Sequence, residues 1–77
     1  MKELLEALVR GLVNEPSEVS VVEDAPNEEG LIVYHLHVAA DDMGRVIGKQ
    51  GRIAKAIRTV MRAVATRNDQ KIMVEID

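Results

Sequence analysis

Between residues 3 and 14, Leu4, Leu5, Leu8, Val9 and Leu12 recur three and four positions apart, with Glu3, Glu6 and Arg10 opposite, which predicts an amphipathic helix. Pro16 is expected to end it. Residues 18–24 are rich in valine and partly alternate, so they read as a strand. The turn chemistry of Ala25-Pro26-Asn27-Glu28-Glu29-Gly30 separates it from a second strand over 31–39, most simply as a hairpin. In that second strand Ile32, Tyr34, Leu36 and Val38 share one face, the better core face, and Val33, His35, His37 and Ala39 the other.

The pattern then returns to helical spacing. Asp41 can cap a short helix over 42–47, which Gly48 stops. A longer helix over 52–67 sets Ile53, Ile57, Val60, Met61 and Val64 along one stripe and Lys55, Arg58 and Arg62 along another, and Asn68-Asp69 closes it. Residues 71–77 alternate, Ile72, Val74 and Ile76 against Lys71, Met73 and Glu75, and predict a third strand. A strand that returns through helices pairs parallel to its predecessor, so the second strand belongs in the middle. The fold class is α+β, ordered α-β-β-α-α-β, with a three-stranded mixed sheet and its helices on one face. No repeat or linker interrupts it, so one domain is expected to cover residues 1–77.

At this length only about 60% of the unfolded chain's surface is buried, so a multidomain enzyme is ruled out, a deep substrate cavity is not expected, and the chain is expected not to be an enzyme. The chain has no cysteine, which removes disulfides and thiolate chemistry and fits a reducing compartment. No apolar run is long enough for a membrane span, and the N-terminus lacks the features of a signal peptide, so the expected location is cytoplasmic.

The net charge of -3 argues against a polyanion as partner, but the average hides a strong asymmetry. Residues 1–43 carry two bases against ten acids, and residues 44–77 eight bases against three acids. Arg45, Lys49, Arg52, Lys55, Arg58, Arg62 and Arg67 all fall within residues 44–67, where there is no acid at all. The local field of such a cationic island decides what docks there.

At its centre lies Val46-Ile47-Gly48-Lys49-Gln50-Gly51-Arg52-Ile53. Glycines at both ends of a short connection between helices allow unusual backbone angles and let a sugar-phosphate chain lie against the peptide groups. A following helix N-terminus favours an anion, and Lys49 adds a full charge. A plain helix-helix turn is the structural alternative. The lysine at the tip, the apolar flanks and the acid-free surroundings weigh against it.

This stretch resembles the I-G-x-x-G signature of KH domains, whose loop clamps about four nucleotides of single-stranded RNA. The element order resembles the type II arrangement. The whole chain, with Asp42-Met43-Gly44-Arg45-Val46-Ile47-Gly48-Lys49-Gln50-Gly51-Arg52-Ile53-Ala54-Lys55-Ala56-Ile57-Arg58, is similar to the KhpA family of small bacterial single-KH-domain proteins. The resemblance implies a cytoplasmic RNA-binding protein and RNA chaperone that pairs with itself or with a larger KhpB-like protein that also contains a KH domain, in a complex tied in some bacteria to cell shape and envelope upkeep. It assigns Gly48, Lys49, Gln50 and Gly51 to the phosphate clamp and Ile47 and Ile53 to the apolar residues that seat it. Arg45 and Arg52, with Lys55 on the adjacent helix surface, complete the expected RNA contacts, while Arg62 and Arg67 are read as steering or solubilising charges.

Other chemistries fit poorly. A nucleotide-binding P-loop needs glycine where Met43 stands and Ser or Thr where Gln50 stands. His35 and His37 could start a zinc site, but two imidazoles without cysteine or a third ligand read better as residues of an uncovered sheet face. Glu28 and Glu29 read as a solvated turn. Tyr34 is the only aromatic residue, so a base-stacking platform is lacking and one copy is expected to bind RNA weakly. The wide apolar arc of the first helix and the dots at Val22, Val33 and Met73 leave surface for a partner, and dimerisation would raise avidity. An adaptor that uses the KH fold mainly for protein pairing is the alternative function.

Overall fold

The alternation along residues 31–38 decides the architecture, because it gives the central strand one face that must be covered. The computed structural model describes residues 1–76, the side chains of Lys49 and Gln50 excepted. Strand β1 (Ser20–Glu23) pairs antiparallel with β2 (Leu31–His37), setting Val21 opposite Leu36 and Val22 opposite His35. Strand β3 (Lys71–Ile76) pairs parallel with β2, setting Tyr34 opposite Val74 and His35 opposite Glu75. The sheet order is β1-β2-β3, with β2 in the middle as expected. Asn27 shapes the connection between β1 and β2, its side-chain oxygen accepting the backbone N–H groups of Glu29 and Leu31 at 2.8 and 3.0 Å, and Gly30 supplies φ 81°.

Helix α1 (Lys2–Arg10) packs on β1 and on the second helical run, α2 (Ala40–Arg67), which packs on β3. Between helices and sheet lie Leu5, Val9, Tyr34, Leu36, Val38, Val46, Ile57 and Met61, all but fully buried. Each large aliphatic side chain here contributes on the order of 1.5–3 kcal/mol by leaving water. The opposite sheet face is open: Val22 is 59% and Met73 47% exposed, and Val33 is half-buried.

Within α2, Gly51 takes φ 70°, a left-handed conformation that interrupts the right-handed course and divides the run into arms over 40–50 and 52–67. The order helix, strand, strand, helix, helix, strand is therefore the predicted one. The break falls at Gly51 and not at Gly48, since Gly48 stays inside the helical run. Asn68 closes α2, its side-chain amide donating to the Val64 carbonyl at 3.1 Å, and Asp69 follows with φ 55°.

Three local expectations are corrected. Helix α1 stops at Arg10 with Gly11 as its C-cap, the Leu12 amide turning to the Val9 carbonyl and the amides of residues 14 and 15 to Asp42, and Pro16 opens a 3-10 turn, Pro16–Glu18. Asp41 does not cap the next helix. Ala39 occupies that position without a side-chain bond, and Asp41 is exposed. Val60 is exposed, because the sheet-facing stripe of the distal arm is Ala54, Ile57, Met61 and Ala65.

Candidate nucleic-acid interface

The proximal arm of α2 is fixed from below by Val46, which is fully buried, and from the side by Asp42, which is 1% exposed. The Asp42 carboxylate accepts the backbone N–H of Asn14 through Oδ1 and that of Glu15 through Oδ2, both at 3.0 Å. Two amides leaving α1 are thereby satisfied by one charged acceptor. Asn14 in turn accepts from Nη1 of Arg45 at 3.3 Å, so one donor of that exposed guanidinium is tethered.

On the outer side of this arm Gly44 and Gly48 stand four residues apart, on one helix face. A Cβ atom built on either would meet nothing within 4 Å. Glycine inside a helix costs about 1 kcal/mol relative to alanine, and here no neighbouring side chain or backbone requires it. Gly51 differs, since its positive φ needs glycine. Gly44, Arg45, Gly48, Arg52 and Ile53 line a shallow depression, a glycine floor between two guanidinium-bearing walls.

The structure thus brings together Arg45, Gly48 and Arg52 among the expected site residues, with Gly51 at the bend. Lys55 is exposed three residues along the distal arm. The side chains of Lys49 and Gln50, both expected in the clamp, lie outside the described residues. Ile47 does not seat the bend: it is 50% exposed, whereas Ile53 packs partly against the core. An exposed isoleucine beside the glycine floor is an apolar contact available to a ligand.

A second groove runs along β3, which as an edge strand has an unpaired side. It is lined by Arg58, Arg62 and residues 72–75. Arg58 turns toward it, its Nε donating to the Val74 carbonyl at 3.3 Å, which separates it from the solvated stripe of Lys55 and Arg62. Tyr34 is buried and offers no stacking surface. Burial pushes its hydroxyl pKa up, reinforced by the carboxylates of Glu23 and Glu3 and by a hydrogen bond to Glu23.

On the open face, His35 lies between two carboxylates, Nε2 at 2.8 Å from Asp24 and Nδ1 at 3.5 Å from Glu75. Residue spacing identified neither this arrangement nor the roles of Gly44, Asn14 and Asp42. The two glycines four apart were the available signal for the floor, while the Asp42 contacts span too many residues for any local pattern.

Among known proteins, the family model described as KhpA/KhpB, KH domain matches residues 2–76. The chain is 51% identical over 76 residues to the RNA-binding protein KhpA of Clostridium perfringens, covering 99% of each. It is 49% identical to that of Listeria monocytogenes, covering 99% of this chain and 97% of the relative, and 43% identical to that of Chlamydia pneumoniae, covering 99% and 95%. With its element order, mixed sheet and glycine-floored bend, the chain belongs to the KhpA/KhpB family of KH domains, a non-enzymatic family.

Proposed function

We propose that the chain acts as one KH domain over residues 1–77 that holds single-stranded RNA, with no chemical step of its own. The phosphates lie over Gly44 and Gly48, between Arg45 and Arg52, with Gly48, Lys49, Gln50 and Gly51 as the clamp and Lys55 close by. The observation that carries this reading is Gly48, a glycine within a helical run with open space where its Cβ would be and exposed guanidinium side chains on both sides. A sugar-phosphate chain uses that space, and the acid-free run of residues 44–67 favours its charge. The relatives' name, RNA-binding protein KhpA, supports the same reading.

Bases held by the clamp extend toward the groove between the distal arm and β3, where unpaired backbone groups of an edge strand supply donors and acceptors for base edges. With no exposed aromatic residue, a single copy binds weakly, and pairing with a second copy or with a larger KhpB-like protein raises avidity. Such weak, sequence-tolerant binding suits an RNA chaperone acting in the cytoplasm. Among the described residues, no helix is long and apolar enough to cross a membrane.

The adaptor reading keeps one observation in its favour, the exposed Leu4, Leu12, Val22 and Met73. The double variant Lys49→Asp, Gln50→Asp separates the two. Loss of RNA retention with an unchanged circular dichroism spectrum supports the clamp. RNA retention equal to the parent chain's overturns it and leaves protein pairing as the function of the fold.

A further inference from the structure

The distal arm presents an outer face of cations, hydroxyls and small residues, bordered on one side by the exposed Val60. Lys55, Thr59, Arg62, Ala63, Thr66 and Arg67 are all exposed. No carboxylate interrupts this face, and no large apolar side chain marks its middle. Toward its far end Thr59, Arg62, Ala63, Thr66 and Arg67 border a shallow, open depression in the helix surface. Arg62 is also a wall of the groove along β3, so the two depressions meet at that side chain. At 1.5 Å per residue, Arg62 lies about 15 Å along the arm from Arg52, and Arg67 about 22 Å.

We infer that the RNA path continues past the clamp, leaving the β3 groove over Arg62 and laying further phosphates in the outer depression formed by Thr59, Ala63, Thr66 and Arg67. This rests on the clamp reading and extends it. Ala63 lets a ribose-phosphate chain approach the helix closely, the Thr59 hydroxyl and the Arg67 guanidinium offer donors to phosphate oxygens, and no acid is among the residues bordering this depression, Glu75 and Asp69 lying outside it. Arg62 and Arg67 are then contacts for RNA longer than the clamp, and not merely solubilising charges.

The test compares oligouridylates of four and ten nucleotides by fluorescence anisotropy, with the parent chain, Ala63→Glu and Arg67→Gln. Both substitutions lie on an exposed helix face and suit a helix, and thermal melts check that the fold is kept. In the parent chain, two or three added phosphate contacts steepen the slope of log affinity against log salt by about 1.4–2 for the ten-mer relative to the four-mer. The double variant Ala63→Glu, Arg67→Gln weakens the ten-mer about tenfold and leaves the four-mer within a factor of two. Equal loss for both lengths means general steering and overturns the proposal. No loss for either, as when an acidic protein segment is what uses this face, overturns it as well. Failure of the four-mer to perturb residues 45–53 of the parent chain overturns the clamp reading itself and with it this extension.

Discussion

Asp42 reaches back twenty-eight positions to take the backbone N–H of Asn14 at 3.0 Å, and Asn14 passes the constraint to Arg45 through its own side-chain oxygen. The first arm of α2, the exit from α1 and a candidate phosphate contact are thus one unit. Replacing Asp42 by alanine strands two partly buried amides and is expected to cost about 2–4 kcal/mol, with Asp42→Asn between that and the parent chain. Urea denaturation measures both. A loss below about 0.5 kcal/mol for the alanine variant contradicts the assigned role.

Gly48 and Gly51 near the bend answer to different constraints, and alanine tells them apart. Gly51→Ala forces an L-residue into a left-handed conformation and is expected to destabilise the fold by about 1–2 kcal/mol. Gly48→Ala meets open space inside a helical run and is expected to stabilise it by up to about 1 kcal/mol while weakening RNA binding several-fold. Stability curves run beside an RNA titration check the pair. A Gly48→Ala protein that is both more stable and fully binding removes the glycine floor from the site.

How far residue patterns reach is visible in these same elements. Tyr34 and Leu36 alternate because a strand has period two, and they are buried as that period requires. The parallel placement of β3 follows from the helical crossover before it. What the pattern misplaces lies where tertiary contacts compete with local rules. Helix α1 stops early, its end tightened by the Leu12 amide bonding to the Val9 carbonyl, the amides of residues 14 and 15 go to Asp42, and Asp41, the better-placed cap by sequence, stays in water. Val60 belongs to the apolar stripe by periodicity, but a three-stranded sheet covers only the stripe of Ala54, Ile57, Met61 and Ala65. The candidate site at the bend was legible because glycine is a costly choice for a helix interior facing nothing, and these glycines fall within an acid-free run of cations. The exposure of Ile47 was not, since spacing assigns an isoleucine to packing before it assigns one to a ligand.

Ionic strength reads the number of phosphates held. On the proposed reading, three or four phosphates over the glycine floor are expected to give a slope of log affinity against log salt of roughly -2 to -3 for a short unstructured oligoribonucleotide. Arg52→Gln should make the slope shallower by about 0.7, without changing the fold, because this side chain is exposed. Anisotropy titrations between low and physiological salt give both numbers. A slope near zero would mean that the cations of residues 44–67 are not what holds the RNA.

Alkaline stability tests the burial of the only tyrosine. The pKa of Tyr34 is raised above 10.0 by its burial, by Glu23 and Glu3, and by the hydrogen bond to Glu23, so the folded state prefers the neutral phenol. Its contribution is fully present below the ordinary tyrosine pKa. As pH rises beyond about 10, the unfolded chain loses a proton that the folded chain keeps, and the contribution is lost through the folded pKa. Tyrosinate absorbance of the folded chain should therefore appear at higher pH than that of the urea-unfolded chain. Tyr34→Phe costs about 0.5–1.5 kcal/mol at neutral pH through the lost hydrogen bond and flattens the fall in stability that remains after lysine titration is subtracted. Tyrosinate that forms at the same pH in the folded and the unfolded chain would contradict the raised pKa of this hydroxyl and the burial that causes it.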